Sequence, residues 1–256
     1  MNKTNVYSVN GEVSGNVDVP EAFNTPYRPD IIKKAVLAAA ANGRQPYGPS
    51  PRSGMRHSVS TWGKGRGVSR VQRVKAGSKA TESPNNVSGR RAHPPRPERK
   101  WAQKVNTKEL SLARKSALAA TGSKDCVKQR GHQFEDALTF PLVVDDAFQD
   151  IQATSEVYEV FNRLGIGYDV DRAKDGTKIR AGKGKMRNRR YRTPVSILIV
   201  VDSRDAPVAK GANNLPGVEV EAVSNLNTST LAPGGDAGRL TVFTRSAFEK
   251  IGGWTQ

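Results

Sequence analysis

Residues 195–201, Val-Ser-Ile-Leu-Ile-Val-Val, form the clearest predicted strand in the sequence and decide its fold class. Six of the seven residues are apolar. A short, continuous apolar run is typical of a strand that is buried on both faces, as the central strands of a parallel sheet are. The run therefore predicts a central strand of a parallel sheet.

The rest of the chain alternates predicted strands with predicted helices. Asn10-Gly11, between two alternating apolar and polar segments, predicts a β-hairpin near the N-terminus. Further strands are predicted at 140–144, 168–170, 218–223 and 240–243, the last of which could instead be antiparallel at an edge. Helices are predicted at 29–42, 106–121, 124–130, 154–164, 206–212 and 246–251, and Thr154 or Ser155 is expected to cap the fourth. This alternation indicates an α/β layer fold with a mostly parallel sheet.

Positive charge is concentrated in two segments of the chain. Residues 44–104 hold fifteen Lys or Arg residues and two acids, a formal charge of +13. Residues 174–192 hold nine basic residues and one acid, a charge of +8. Since the whole chain carries +17, the remainder is slightly acidic, at −4. Such segregation of charge predicts a polyanionic partner.

The longer basic segment, 44–104, lacks the apolar surface needed to form a core of its own. Repulsion between like charges and the entropy of ordering favour an extended, mobile chain until phosphates neutralise it. A purely solvated basic linker is the alternative interpretation. Two facts count against that alternative: the segment lies between two predicted helices, and it exceeds the roughly 12–15 residues usual for an unstructured loop in a compact domain.

Other classes of function find little support in the sequence. The single cysteine, Cys126, excludes an internal disulfide and a cysteine zinc site, and is expected to be a small buried residue on a helix. No apolar run approaches a membrane span, and no signal peptide is recognisable, so an intracellular, soluble or assembled protein is expected. Asp145, Asp146, Asp202 and Asp205 lie near predicted strand ends, where caps are more common than catalytic acids. An RNA-processing or RNA-modifying enzyme and a chromatin-type DNA binder remain alternatives, although no cofactor-binding turn or catalytic motif is present.

The candidate RNA contacts are the cations and flat side chains of the two basic segments. Trp62, His57 and His93 are candidates for stacking or base-edge contacts, and Tyr47 and Trp101 offer further flat faces. The predicted contacts are Arg44, Arg52, Arg56, His57, Trp62, Lys64, Arg66, Arg70, Arg73, Lys75, Arg90, Arg91, His93, Arg96, Lys183, Lys185, Arg187, Arg189, Arg190 and Arg192.

Several short motifs carry a resemblance to a known family. They are Trp62-Gly63-Lys64-Gly65-Arg66, Gly89-Arg90-Arg91-Ala92-His93-Pro94-Pro95, Lys115-Ser116-Ala117-Leu118-Ala119-Ala120-Thr121, Arg190-Tyr191-Arg192-Thr193-Pro194 and Ala232-Pro233-Gly234-Gly235, which continues into Gly238-Arg239-Leu240-Thr241-Val242-Phe243. In this order and spacing the motifs are specific. Over essentially its full length, the chain resembles the archaeal and eukaryotic form of the large-subunit ribosomal protein four family.

The resemblance implies a fold, a role and a set of partners. The fold is a Rossmann-like, three-layer α/β/α domain of residues 1–43 and 105–256, with an extended rRNA-penetrating loop, 44–104, inserted in it. The role is that of a structural, non-catalytic constituent of the large ribosomal subunit in the cytoplasm, which binds its rRNA and supports its assembly. The implied partners are large-subunit rRNA, neighbouring large-subunit proteins and the nascent polypeptide. No cofactor or metal site is expected, apart from structural Mg²⁺ or K⁺ held by the rRNA. The loop tip would help to line the peptide exit tunnel, with Arg66, Val68, Arg70, Val71 and Arg73.

Overall fold

A computed structural model describes residues 3–87 and 89–255 of the chain. The chain divides into two compact units. The body comprises Met1–Ala40 and Lys104–Gln256, and the arm comprises Ala41–Gln103. The body contains the main sheet and nearly all of the helices, whereas the described residues of the arm contain two short strands and the last residues of one helix. Within the described parts of the chain, no helix is both long and apolar enough to cross a bilayer.

The regular elements follow the alternation that the sequence predicts. The strands are β1 (Lys3–Tyr7), β2 (Val13–Asp18), β3 (Val59–Ser60), β4 (Arg73–Val74), β5 (Leu142–Val144), β6 (Lys178–Ile179), β7 (Tyr191–Arg192), β8 (Leu198–Val201), β9 (Glu219–Ala222) and β10 (Thr241–Thr244). The helices are α1 (Pro29–Asn42), α2 (Thr107–Thr121), α3 (Lys124–Arg130), α4 (Thr154–Arg163), α5 (Gly167–Asp175), α6 (Val208–Ala212), α7 (Thr228–Leu231) and α8 (Arg245–Ile251).

The body is built on a six-stranded sheet in the order β2-β1-β5-β10-β8-β9. The β1–β2 hairpin is antiparallel, and every other pair in this sheet is parallel. The predicted α/β fold with a mostly parallel sheet is therefore confirmed. The alternative of an antiparallel final strand at an edge was wrong, because β10 lies between β5 and β8 and is parallel to both.

The central strands β5, β8 and β10 are buried on both faces of the sheet, which explains why they are largely hydrophobic. Successive residues of a strand point to opposite faces. Val143, Val200 and Phe243 therefore pack in a cluster with residues of α1, α2 and α8. Leu142 and Val242 pack in a second cluster with residues of α4, α5 and α6. Burial on both sides is typical of strands that lie inside a parallel sheet.

Two local predictions were wrong. The predicted strand at 168–170 lies within helix α5, where Asp169 and Val170 are buried and Tyr168 is exposed. A run of three residues is too short for periodicity to separate a strand from a helical turn. The predicted cap of α4 also fails: the residue at the N-cap is Ala153, without a side-chain hydrogen bond, and Thr154 is already helical.

Candidate nucleic-acid interface

The base of the arm is closed by side chains from both of its ends. The Asn42 Nδ2 group donates to the carbonyl oxygen of Gln103 at 3.2 Å, and the Gln103 amide donates to Asn42 Oδ1 at 2.8 Å. The guanidinium carbons of Arg44 and Arg99 lie 3.8 and 4.4 Å from the centre of the Trp101 ring. Such contacts stabilise by cation–π attraction. Because two guanidinium groups already stack on it, Trp101 does not offer the open face that the sequence suggested.

Above this base, the outgoing and returning legs of the arm run in close contact. A Cβ atom at Gly48 would lie 2.7 Å from Pro97 Cδ and 2.8 Å from the carbonyl oxygen of Pro95. A Cβ atom at Gly54 would lie 2.7 Å from the backbone of Arg90. These distances are too short for a side chain, so the two glycines allow the backbones to approach.

Farther along the arm, β3 and β4 form a short antiparallel ladder that Arg73 helps to hold. Arg73 donates from Nη1 to the carbonyl oxygen of Ser78 at 2.6 Å and from Nη2 to Ser69 Oγ at 3.3 Å. Its guanidinium carbon also lies 5.2 Å from the centre of the Trp62 ring. The structure therefore gives Arg73, a predicted RNA and tunnel residue, contacts within the arm itself.

The glycine-rich turn after Trp62 is open to solvent. Gly63, Gly65 and Gly67 have φ values of +72°, +79° and +66°, a conformation that other L-residues rarely adopt. Apart from the glycine itself and its two neighbours in the chain, no described residue has an atom within 4 Å of a Cβ atom built on any of the three. Lys64 and Arg66, which alternate with them, are exposed. A ligand backbone can therefore approach this turn without meeting side chains of the glycines.

The cations of the arm are mostly exposed and lack acidic partners. Across residues 44–87 and 89–104, no Lys or Arg forms a salt bridge with a described carboxylate. No apolar side chain is buried within 41–87 or 89–103 either, and Thr81 is the one buried residue among them. Arg73 and Arg90 are half-buried, whereas the remaining predicted contacts of the arm are exposed, namely Arg44, Arg52, Arg56, His57, Trp62, Lys64, Arg66, Arg70, Lys75, Arg91, His93 and Arg96.

The second basic segment forms a hairpin, which we call the basic hairpin. Strand β6 pairs antiparallel with β7, so that Lys178 lies opposite Arg192 and Ile179 opposite Tyr191. Strands of two residues leave no periodic pattern, so the charge of this segment predicted a basic surface but not a hairpin. The hairpin exposes Lys183, Lys185, Arg187, Arg189, Arg190 and Arg192, all of which are predicted contacts.

Buried ionic groups brace the body next to this hairpin. The Asp169 carboxylate accepts hydrogen bonds from Ser196 Oγ at 2.7 Å and Arg172 Nε at 2.9 Å, and lies 3.0 Å from His132 Nδ1. Burial by itself raises the pKa of Asp169, but the hydrogen bonds from His132, Arg172 and Ser196 outweigh burial and hold the pKa well below its usual value. The sequence analysis missed this network, because its members are distant in the chain.

The acids at the carboxyl ends of the strands make structural contacts. Asp146 Oδ1 accepts hydrogen bonds from the amide and hydroxyl groups of Ser246 at 3.0 and 2.7 Å. Asp202 forms an ion pair with Lys250. The described residues contain no group of three or more His, Cys, Asp or Glu side chains able to hold a metal ion. Cys126 lies on α3, as predicted, but it is half-buried.

An α/β body together with two exposed basic surfaces is typical of a nucleic-acid-binding protein. Comparison with known proteins makes the assignment specific. The sequence model of the ribosomal protein L4/L1 family matches residues 17–254 of this chain. The chain belongs to this family, which confirms the resemblance noted in the sequence.

Several archaeal proteins are similar to the chain over almost its whole length. It is 50% identical over 252 residues to the large ribosomal subunit protein uL4 of Archaeoglobus fulgidus, covering 98% of this chain and 99% of that protein. It is 50% identical over 250 residues to the protein of the same name from Methanocaldococcus jannaschii, covering 97% and 98%. The corresponding protein of Methanosphaera stadtmanae is 46% identical over 252 residues, covering 98% and 97%. The family is one of structural ribosomal proteins, and the comparisons lend no support to the RNA-modifying enzyme.

Proposed function

We propose that this protein is a structural constituent of the large ribosomal subunit that binds the large-subunit rRNA and supports its assembly. One observation carries the proposal: the cations of the arm are mostly exposed and have no described acidic partner. Unpaired cations at this density repel one another, and crowded RNA phosphates relieve that repulsion while releasing counterions. Family membership supports the same role.

In this proposal the body and the arm make different contacts with the rRNA. The body is a Rossmann-like, three-layer domain that lies at the surface of the subunit, and its basic hairpin makes a second rRNA contact. The arm, corresponding to the predicted loop 44–104, enters the rRNA as an extended element. Its closed base and its closely packed legs support this role, because a preorganised segment loses less entropy when it binds.

We further propose that the tip of the arm helps to line the nascent-peptide exit tunnel. Arg66, Val68 and Arg70 are exposed, and Val71 is half-buried. Arg73 acts differently in this proposal: it orders the tip through Ser69 and Ser78 instead of facing the tunnel. The protein would then contact the nascent polypeptide, neighbouring large-subunit proteins and rRNA in a cytoplasmic ribosome. Any structural Mg²⁺ or K⁺ near the arm would be held by the rRNA.

Deleting residues 48–95 tests the proposal directly. The deletion keeps Asn42, Arg44, Trp101 and Gln103, which close the base of the arm. We expect the variant to retain a folded body, measured by circular dichroism, and to be lost from large-subunit particles during sedimentation at high salt. Normal incorporation of the folded variant would show that the arm is not the anchor. Competition between rRNA and duplex DNA at matched salt distinguishes a ribosomal protein from a DNA binder.

A further inference from the structure

A cavity of about 550 Å³ opens in the body beside the buried ionic network. It lies near the amino ends of β8 and β10, since Val195 and Ala237 line it and precede these strands. Enzymes with open α/β sheets place their sites at the opposite, carboxyl ends. The cavity is lined by Tyr27, Cys126, Gln129, Arg130, His132, Arg172, Val195, Asp236 and Ala237.

Arg130 lines this cavity, and its guanidinium group forms no salt bridge with a described carboxylate. Its Nη2 group donates to the carbonyl oxygen of Pro233 at 2.9 Å, but its Nη1 atom is buried and has no hydrogen-bond partner among the described residues. Two guanidinium groups nearby are each paired with a carboxylate: Arg172 with Asp169, and Arg239 with Glu219. A buried, unpaired donor is costly, so an anion at this position would stabilise the protein.

The charged groups around Arg130 also favour binding of an anion beside it. Burial lowers the pKa of Arg130, and repulsion from Arg239 and Arg172 lowers it further, whereas Asp236 opposes the change. Asp236 is exposed to solvent and forms no salt bridge with Arg130. A ligand that brings its own negative charge would meet Arg130 and Arg172, which both line the cavity.

The position of the cavity indicates what kind of anion it receives. Arg172 lies on the helix from which the basic hairpin departs, and Val195 follows the strand through which the chain returns. The cavity therefore lies at the base of an exposed basic surface. Tyr27 and Gln129 are exposed and line the same cavity, which gives a flat face and an amide beside the charge. A nucleotide in an RNA strand presents a phosphate and a base that match these groups.

We propose that this cavity binds one phosphate group of an RNA strand, with Arg130 as its charged donor. This inference rests on the proposed rRNA-binding function and deepens it, because it adds a discrete phosphate site on the body to the distributed charge of the arm. Charge-assisted hydrogen bonds from a guanidinium group to phosphate are among the strongest of their kind.

Cys126 provides a reporter that is independent of the arm. It is the single cysteine of the chain, it is half-buried and it lines the cavity. The rate of its alkylation by N-ethylmaleimide can be measured by mass spectrometry on the full chain at constant ionic strength. The probes are inorganic phosphate, adenosine 5′-monophosphate, adenosine, a short single-stranded RNA and oligoglutamate.

We expect phosphate and the nucleotide to slow alkylation, the RNA to do so at lower concentration, and adenosine to have no effect. Arg130→Gln should raise the phosphate concentration needed for half-protection by about tenfold or more. Arg204→Gln, which removes an exposed arginine that does not line the cavity, should leave it unchanged. Should Arg130→Gln fail to fold, the unaltered protein still provides a test: adenosine 5′-monophosphate should slow the alkylation of Cys126, and adenosine should not.

Three results would overturn the inference. They are absence of protection by any phosphate probe, protection by phosphate but not by RNA, and protection by oligoglutamate alone, which would indicate an acidic protein partner. If rRNA binding by the same protein persists in these cases, the proposed function stands without this site. If rRNA binding is absent as well, the proposed function itself has failed.

Discussion

Neutralising unpaired cations of the arm should flatten the salt dependence of rRNA binding by a calculable amount. Arg52, Lys64 and Arg66 are exposed and lie within salt-bridge distance of no described carboxylate. We expect each to contact a phosphate, and each such contact contributes about 0.7 to 0.9 to the slope of log K against log salt concentration. Changing all three to Gln should therefore make that slope less steep by about 2 to 3.

The same change has a predictable effect on affinity. The electrostatic contribution vanishes near a salt concentration of about 1 M, so the affinity of the triple variant at about 0.1 M should be lower by roughly a hundredfold to a thousandfold. The assay is equilibrium binding of the full chain to large-subunit rRNA across a series of salt concentrations. Circular dichroism should show an unchanged body.

A matched control uses exposed arginines that already have acidic partners. Arg28 pairs with Asp30 at 2.8 Å, and Arg245 pairs with Glu249 at 3.2 Å. Arg163 lies 3.5 Å from a carboxylate oxygen on its own helix. Changing these three to Gln removes the same formal charge, but the slope should change by less than about 1. Equal effects of the two triple variants would show that pairing does not select the RNA-binding cations, and the argument from unpaired charge would be refuted.

Two further predictions concern residues whose roles emerge from contacts. Arg73→Gln should accelerate amide hydrogen exchange across 69–79 by about tenfold, because it removes bonds to Ser69 and Ser78. Unchanged exchange together with a salt slope of rRNA binding that is less steep by about 0.7 to 0.9 would instead make Arg73 an RNA contact. Asp169→Asn should lower the free energy of unfolding at neutral pH by about 3 kcal/mol, since it breaks a buried charge network. Because the pKa of Asp169 is lowered on folding, its stabilisation is present above the unfolded value of about 4 and is lost as the pH falls below it. In urea unfolding, the difference in free energy of unfolding between the unaltered protein and Asp169→Asn should therefore become smaller in acid. A difference that stays constant with pH would contradict the lowered pKa of Asp169.

Much of the fold was predictable because its strands are marked by local hydrophobicity. The runs at 195–201 and 240–243 contain strands β8 and most of β10, although β8 begins three residues later than predicted. The position of β10 was not predictable, because the order of strands depends on which apolar faces pack together. The segment at 168–170 was predicted wrongly because three residues are too few to show a period, and the burial of Asp169 depends on hydrogen bonds with His132 and Ser196, which are distant in the chain.

The basic composition of the candidate interface was predictable from the sequence, but the contacts of its individual cations were not. Charge counts identify both basic segments, since they need no knowledge of contacts. They do not separate cations that are free to bind RNA from those that hold the arm together. Arg44 stacks on Trp101, and Arg73 binds Ser69 and Ser78. Nothing in the sequence distinguishes these two arginines from the other basic residues of the segment. Arg130 was missed altogether, because it lies outside both basic segments.

The sequence by itself determined the mostly parallel α/β body and the concentration of charge in two segments, because short-range hydrophobicity and net charge are properties of consecutive residues. Only the tertiary structure decided which cations form no salt bridge among the described residues, which aromatic faces are covered and which arginine lines the cavity in the body. Those properties depend on distances between residues far apart in the chain, and packing alone brings such residues together.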